Sequence, residues 1–184
     1  MTGGKLARDL GRLKSGLLVL MTDAERLPDP LAAARRLPKG SLVIVRARDG
    51  TRRHALAESL RKETNGLILL AADDPALADR LHGLHLPEKR AREAAHWRAL
   101  RPHWLITVAA HSAQGLHIAY ADAALLSPVF ATSSHPKAQP LTAPRARLMV
   151  RQALLPVLAL GGVTAQNAPL LEGFAGIAAI GALT

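Results

Sequence analysis

Short, unbroken apolar runs recur along the chain, each bounded by Gly, Pro, Asp or Ser. They are Gly16–Met21, Ser41–Arg46, Gly66–Ala71, Gly83–Leu86, Trp104–Val108, Ala123–Leu126, Leu155–Leu160 and Gly176–Ile180. Apolar runs of this length that do not alternate with polar residues suit parallel strands covered on both faces. The segments between them carry helical spacing. In Arg52–Glu63, the residues Ala55, Leu56, Ser59 and Leu60 share one face. Arg92–Arg101 sets Ala95, Trp97 and Leu100 among charges, and Pro144–Ala153 sets Leu148, Met149 and Gln152 against Arg145, Arg147 and Arg151. Strands alternating with helices imply right-handed βαβ units and a parallel sheet. Eight strands at intervals of roughly 17–32 residues predict a closed (β/α)8 TIM barrel, where five or six would favour an open doubly wound sheet.

Length modifies that picture. A barrel of this kind usually takes ~250 residues, and this chain has 184, so the helices must be short or an element missing. The sequence runs to Gly181-Ala-Leu-Thr184, so a full final helix after the eighth strand is not expected. Conversely, Thr2–Ser15 precedes the first strand with Leu6, Leu10 and Leu13 set against Lys5, Arg8 and Arg12. The expected organisation is an N-terminal helical extension over 1–15 and one barrel domain over 16–184. The open edge of the outer layer calls for cover by that extension or by a second copy in a homodimer. The longest predicted loop, Ala131–Pro144, follows the sixth strand, at the end of a barrel where active sites are built.

Composition narrows the function classes. There is no cysteine, which excludes disulfides, thiolate metal sites and cysteine nucleophiles and fits a reducing, cytoplasmic setting. Net charge is +10, but the arginines are scattered over presumed outer helices. With one Tyr, two Phe and two Trp there is no stacking platform for single strands, so no nucleic-acid partner is expected. The apolar run Gly16–Met21 is shorter than the ~7–15 residues of a signal-peptide core and far below a membrane span, so no membrane association is expected.

Candidate chemistry gathers behind the strands. Gly161 and Gly162 follow the seventh strand and Gly181-Ala182 the eighth, where barrels commonly hold a phosphate on backbone amides. Thr164 is placed to cap a helix beginning near Ala165. Arg46 and Arg48 end the second strand, and alternation predicts that both face the same way, as two guanidinium forks for an anion or as rim charges bridging to Asp49 or Glu25. The eight histidines show no zinc spacing, and His82 and His85 fall on opposite strand faces. His111, just past the fifth strand, is placed either to act as an acid–base group near neutral pH or to hydrogen-bond its own turn beside Ser112. His135, on the long loop, is placed to reach a bound anion.

These motifs, in this order, resemble the thiamine phosphate synthase/TenI family over nearly the whole chain. Leu20-Met-Thr-Asp23 is similar to the family's Leu-x-Thr-Asp after strand one, and Gly83-Leu-His-Leu86 to its fourth-strand Gly-Val-His-Leu. Ser127-Pro-Val-Phe-Ala-Thr-Ser-Ser-His135 resembles Gly-Pro-Val-Phe leading into a Thr-x-Thr-Lys phosphate loop. Pro156-Val-Leu-Ala-Leu-Gly-Gly-Val163 and Gly176-Ile-Ala-Ala-Ile180 resemble the seventh and eighth strands.

The resemblance implies a small phosphorylated ligand of the thiazole phosphate type. The family's synthases join such a thiazole phosphate to a pyrimidine pyrophosphate with Mg²⁺. Several positions depart from that equipment. Gln-x-Arg-x-Lys becomes Ile44-Val-Arg46-Ala-Arg48, Asn-Asp becomes Ala72-Asp73, and the fifth-strand Ser becomes Ala109. Gly-Gln-Glu-Asp becomes Pro87-Glu-Lys-Arg90, which puts a cation where a magnesium carboxylate is expected. Thr132 is kept, while Ser134 and His135 replace the second Thr and the Lys of the phosphate loop. This pattern is nearer the TenI branch, in which thiazole phosphate is tautomerised and a histidine past strand five, matched by His111, shuttles the proton. The resemblance therefore implies a cofactor-free isomerase, with Mg²⁺ required only if synthase chemistry is kept. A non-catalytic phosphate-binding or regulatory protein is the alternative in which the loops survive without the chemistry.

Overall fold

The structure is a computed structural model that describes residues 16–132 and 139–180. Eight parallel strands close in sequence order into a barrel, each paired with its neighbours and β8 with β1. They are β1 Leu17–Met21, β2 Leu42–Val45, β3 Ile68–Ala72, β4 Gly83–Leu86, β5 Leu105–Ala110, β6 Ala123–Leu126, β7 Val157–Leu160 and β8 Gly176–Ala179. All eight apolar runs form strands, within two residues of the expected starts. The predicted extension at 1–15 lies outside the described residues.

Continuous apolar sequence is required because each strand buries both faces. Alternate residues such as Val19, Leu42, Ile44, Leu70, Leu105 and Leu125 point inward and fill the barrel. Their neighbours, including Leu20, Val43, Leu69, Leu84, Ile106 and Leu126, point outward into the layer beneath the helices. Full burial of each such side chain contributes ~1.5–3 kcal/mol, so this double shell supplies most of what holds the fold.

The chain fits because its outer layer is thin. The α-helices among the described residues are α1 Pro30–Arg35, α2 Gly50–Glu63, α3 Pro75–Ala78, α4 Ala94–Leu100 and α5 Ala143–Gln152. Asp29, Asp49 and Asp74 cap α1, α2 and α3 through side-chain bonds to Ala32, Arg52 and Leu77 amides. Between β5 and β6 only a 3₁₀ turn, Gln114–Leu116, intervenes, and between β7 and β8 only Ala168–Leu170. The helix expected near Ala165 is therefore corrected to that turn. Thr164 and Asn167 bond each other's amides instead, and Pro169 cannot donate to a growing helix.

Two helical faces are also rotated from expectation. In α2 the buried positions are Ala57 and Leu60, while Ala55 is exposed; in α5 it is Ala146 that is buried, and Leu148 is exposed. A thin outer layer rewards the small residue that lets a helix approach the sheet. Leu148 has no second layer to enter. Among the described residues, no helix is long and apolar enough to cross a membrane.

Candidate active site

A cavity of about 900 Å³ opens at the carboxyl ends of the strands. Its floor is the top of the barrel interior, formed by Met21, His85, Ala109, Leu160 and Ala178. Arg46, Asp73, His111, Thr132, Gly161 and Gly162, all singled out from the sequence, line it. They reach it because each follows the end of a different strand: β2, β3, β5, β6 and, for the two glycines, β7. Ser134, His135, Gly181 and Ala182 lie outside the described residues.

Arg48 does not join them. The strand ends at Val45, so the alternation expected to carry Arg48 inward stops before it applies. Its side chain is 91% exposed and meets Glu25 at 2.9 Å, as a rim charge outside the cavity.

The glycine pair has a structural reason as well as a functional one. Gly162 sits at φ 66°, and a β-carbon there would lie 2.2 Å from the Ala131 carbonyl oxygen. Gly161 and the β6 loop are zipped together, since the Phe130 amide donates to the Gly161 carbonyl at 3.0 Å and the Val129 amide to Leu160 at 3.0 Å. Asn167 donates to the Gly162 carbonyl at 2.8 Å. Only glycine lets the β6 and β7 loops approach so closely. That approach brings Thr132 and the glycines to one wall.

The opposite wall is cationic. Arg26, Arg53 and Lys89 join Arg46 there. Asp23 binds both Arg26, at 2.6 Å, and Arg46, at 2.7 Å. The bond from Arg26 is the main cause that holds the Asp23 carboxyl down at about 2, against the upward push of burial. Arg53 reaches the cavity from the first turn of α2 and donates to the Ala72 carbonyl at 2.9 Å, while its buried Nε makes no hydrogen bond and faces Asp74 at 3.6 Å as an ion pair.

At the floor, His85 shares a 2.9 Å hydrogen bond with Thr107, its register partner on β5. Burial, helped by the charge of Arg46, pushes this imidazole down to about 4, so it is neutral at physiological pH. The sequence reading missed Arg26, Arg53, Lys89 and His85. One signal was available for His85: polar residues at matching positions of two adjacent apolar runs, facing each other inside the barrel.

The carboxylates do not suit magnesium. Asp73, held at φ 54°, meets Arg90 Nη1 at 2.5 Å, and Arg90 also grips Glu93 at 2.6 Å. Those contacts, Glu93 first, hold the Arg90 guanidinium even more firmly protonated. Glu88 is engaged by His111 and Ser112. Burial pushes the Glu88 carboxyl up, but the bonds from the His111 amide and ring and from Ser112 outweigh it, and the net shift is downward. Among the described residues no cluster of three His, Asp or Glu is arranged to hold a metal.

Comparison with known proteins agrees with this architecture. The family described as thiamine monophosphate synthase (TMP-TENI) matches residues 18–183. The protein named "Putative thiamine-phosphate synthase 2" of Aquifex aeolicus is 36% identical over 110 residues, a match spanning 58% of this chain and 59% of that protein. Among solved structures, a thiamine phosphate pyrophosphorylase from Pyrococcus furiosus superposes with TM-score 0.72 at 22% identity, covering 89% of this chain and 85% of that one. The N-(5'-phosphoribosyl)anthranilate isomerase of the same organism gives TM-score 0.59 at 11% identity, over 91% and 88% of the two chains. At such identities these structures speak for the barrel alone. The family match covers every strand residue but Leu17 and every lining residue of the cavity, and on it the chain belongs to the thiamine monophosphate synthase/TenI family.

Proposed function

We propose that this barrel binds a thiazole phosphate-type ligand and isomerises it by proton transfer, with His111 as the acid–base group. The observation that carries the reading is a division of labour across one cavity. His111 stands past β5 with Nδ1 bonded to Glu88 at 2.7 Å, while Gly161, Gly162 and Thr132 form the wall suited to phosphate. Proton transfer within one bound molecule needs an acid–base group and a phosphate anchor. It sheds no pyrophosphate and so needs no metal, in keeping with carboxylates already occupied by Arg90 and His111. The cationic wall keeps an anionic ligand in the cavity, and the apolar floor limits water around the reacting ring.

A second reading, a thiamine phosphate synthase, is favoured by the name of the Aquifex aeolicus relative. It requires Asp73 and Glu88 to be released from their present partners to bind Mg²⁺. The deciding experiment assays purified protein for thiazole phosphate isomerisation and for thiamine phosphate formation, each with and without Mg²⁺. Metal-independent isomerisation is expected. Product formation that depends on Mg²⁺ establishes the synthase instead. Ligand binding with no turnover in either assay identifies a binding protein. Binding itself is read by thermal shift, since ligand at ~100 times its Kd adds ~2.7 kcal/mol of stability.

A further inference from the structure

Glu88 closes three hydrogen bonds around His111. Its Oε2 meets His111 Nδ1 at 2.7 Å, its Oε1 accepts from the His111 amide at 3.2 Å, and Oε1 also accepts from the Ser112 hydroxyl at 2.9 Å. Ser112 Oγ in turn accepts from the Gly115 amide at 3.2 Å, tying the cluster to the 3₁₀ turn after β5. Room for the carboxylate exists because residue 115 has no side chain: a β-carbon there would lie 2.6 Å from Glu88 Oε1. The carboxylate is thus seated in a shaped niche, and no arginine side chain holds it.

We infer that Glu88 is the positioning residue for His111, fixing its ring as the Nδ1–H tautomer so that Nε2 is the basic nitrogen presented to the cavity. This inference rests on the reading of His111 as the acid–base group. The reasoning is one of hydrogen-bond inventory. An ionised carboxylate only accepts, so the ring nitrogen facing it must carry the proton. A neutral imidazole with Nδ1 protonated has its lone pair on Nε2, and among the described residues nothing engages that atom. The backbone and Ser112 bonds hold the carboxylate in place while the ring bond sets the ring's rotation. A second-layer acid that chooses the tautomer in this way is a general device for making a histidine an effective base.

The test uses the full chain with ¹⁵N-labelled histidine and needs no ligand for its first readout. At alkaline pH, where the ring is neutral, the ¹⁵N shifts of His111, assigned by loss of its signals in His111→Asn, are expected to show a protonated Nδ1 and a free Nε2. In Glu88→Gln, which keeps shape and volume, the amide oxygen stays with the His111 amide and Ser112. The amide NH₂ then faces Nδ1 and turns the ring into the Nε2–H tautomer. Gly115→Ala, which pushes the carboxylate out of its niche, is expected to leave the two tautomers mixed. A wild-type ring protonated on Nε2, or a ring unchanged by Glu88→Gln, overturns the inference. With the thiazole phosphate, Glu88→Gln is expected to lower kcat by roughly 10²–10⁴-fold at unchanged KM, because the proton-transferring atom is lost while the phosphate wall is intact. A tautomer switch in a protein that never isomerises the ligand upholds the positioning role and sinks the isomerase reading, so the two fail separately.

Discussion

Replacing Arg90 with Gln isolates what the guanidinium does to a divalent metal at Asp73. A Mg²⁺ ligated by that carboxylate would sit ~2.1 Å from its oxygen. The guanidinium nitrogen is already 2.5 Å from the same atom, so metal and cation would stand within ~4 Å of each other. Two unit charges at ~4 Å repel by ~4 kcal/mol at an effective dielectric of ~20, and the metal's second charge doubles that. Arg90 is about one-third exposed, at 32%, and can swing toward Glu93 and solvent, which discounts the figure by half or more. A penalty of ~4 kcal/mol is therefore an upper value, equivalent to roughly a thousandfold in affinity. The expected outcome is no micromolar Mg²⁺ binding by the wild-type protein with pyrophosphate present, and tightening by ten- to a thousandfold in Arg90→Gln. Isothermal titration calorimetry reads the affinity, and a thiamine phosphate assay run alongside reads turnover. The variant also loses the grip on Glu93, which at an exposed site is worth no more than ~1 kcal/mol, so folding is preserved. Micromolar metal binding with Mg²⁺-dependent product in the wild type, or unchanged affinity in the variant, refutes the reasoning.

Three further outcomes follow from particular atoms. Gly162→Ala places a β-carbon 2.2 Å from the Ala131 carbonyl at a left-handed φ. It is expected to cost ~2–3 kcal/mol, lowering Tm by roughly 5–10 °C, and to abolish stabilisation by the thiazole phosphate; an unchanged ligand-induced shift places the phosphate elsewhere. His85 is held at about 4 in the fold against ~6.5 unfolded, so its contribution is fully present above pH ~6.5 and is lost as pH falls toward 4. That loss is about 3 kcal/mol, and denaturant titrations across this window are expected to show a shallower slope in His85→Leu; parallel profiles refute it. His111→Ala is expected to reduce isomerisation by roughly 10²–10⁴-fold while leaving ligand-induced thermal stabilisation in place, and equal turnover removes it from the chemistry.

The eight strands were legible because burial on both faces forces an unbroken apolar run, a local signal that survives without any knowledge of partners. The order of the site was legible for a related reason. In a parallel barrel every residue just past a strand lies at the same end, so Arg46, Asp73, His111, Thr132 and Gly161 had to converge once the strands were right. Helix faces were read less well. Ala57 and Ala146 are buried in place of larger neighbours because a thin outer layer selects the residue that permits close approach, and that depends on which sheet surface lies opposite. Of the two readings of Arg48, the rim charge bridging to Glu25 holds, because β2 ends at Val45 and the alternation that would turn Arg48 inward stops three residues short of it.

What the sequence determined by itself is the barrel, its open carboxyl end and the presence of a cation, Arg90, just past the fourth strand. What only the tertiary structure decided is pairing. Arg90 turns to Asp73, 17 residues away, and Glu88 to His111, 23 residues away, across neighbouring strand ends. Charge and hydrogen-bonding capacity are properties of single residues, written in the chain. Which donor meets which acceptor depends on register, loop path and the space left by residues such as Gly115, and those exist only once the barrel has closed.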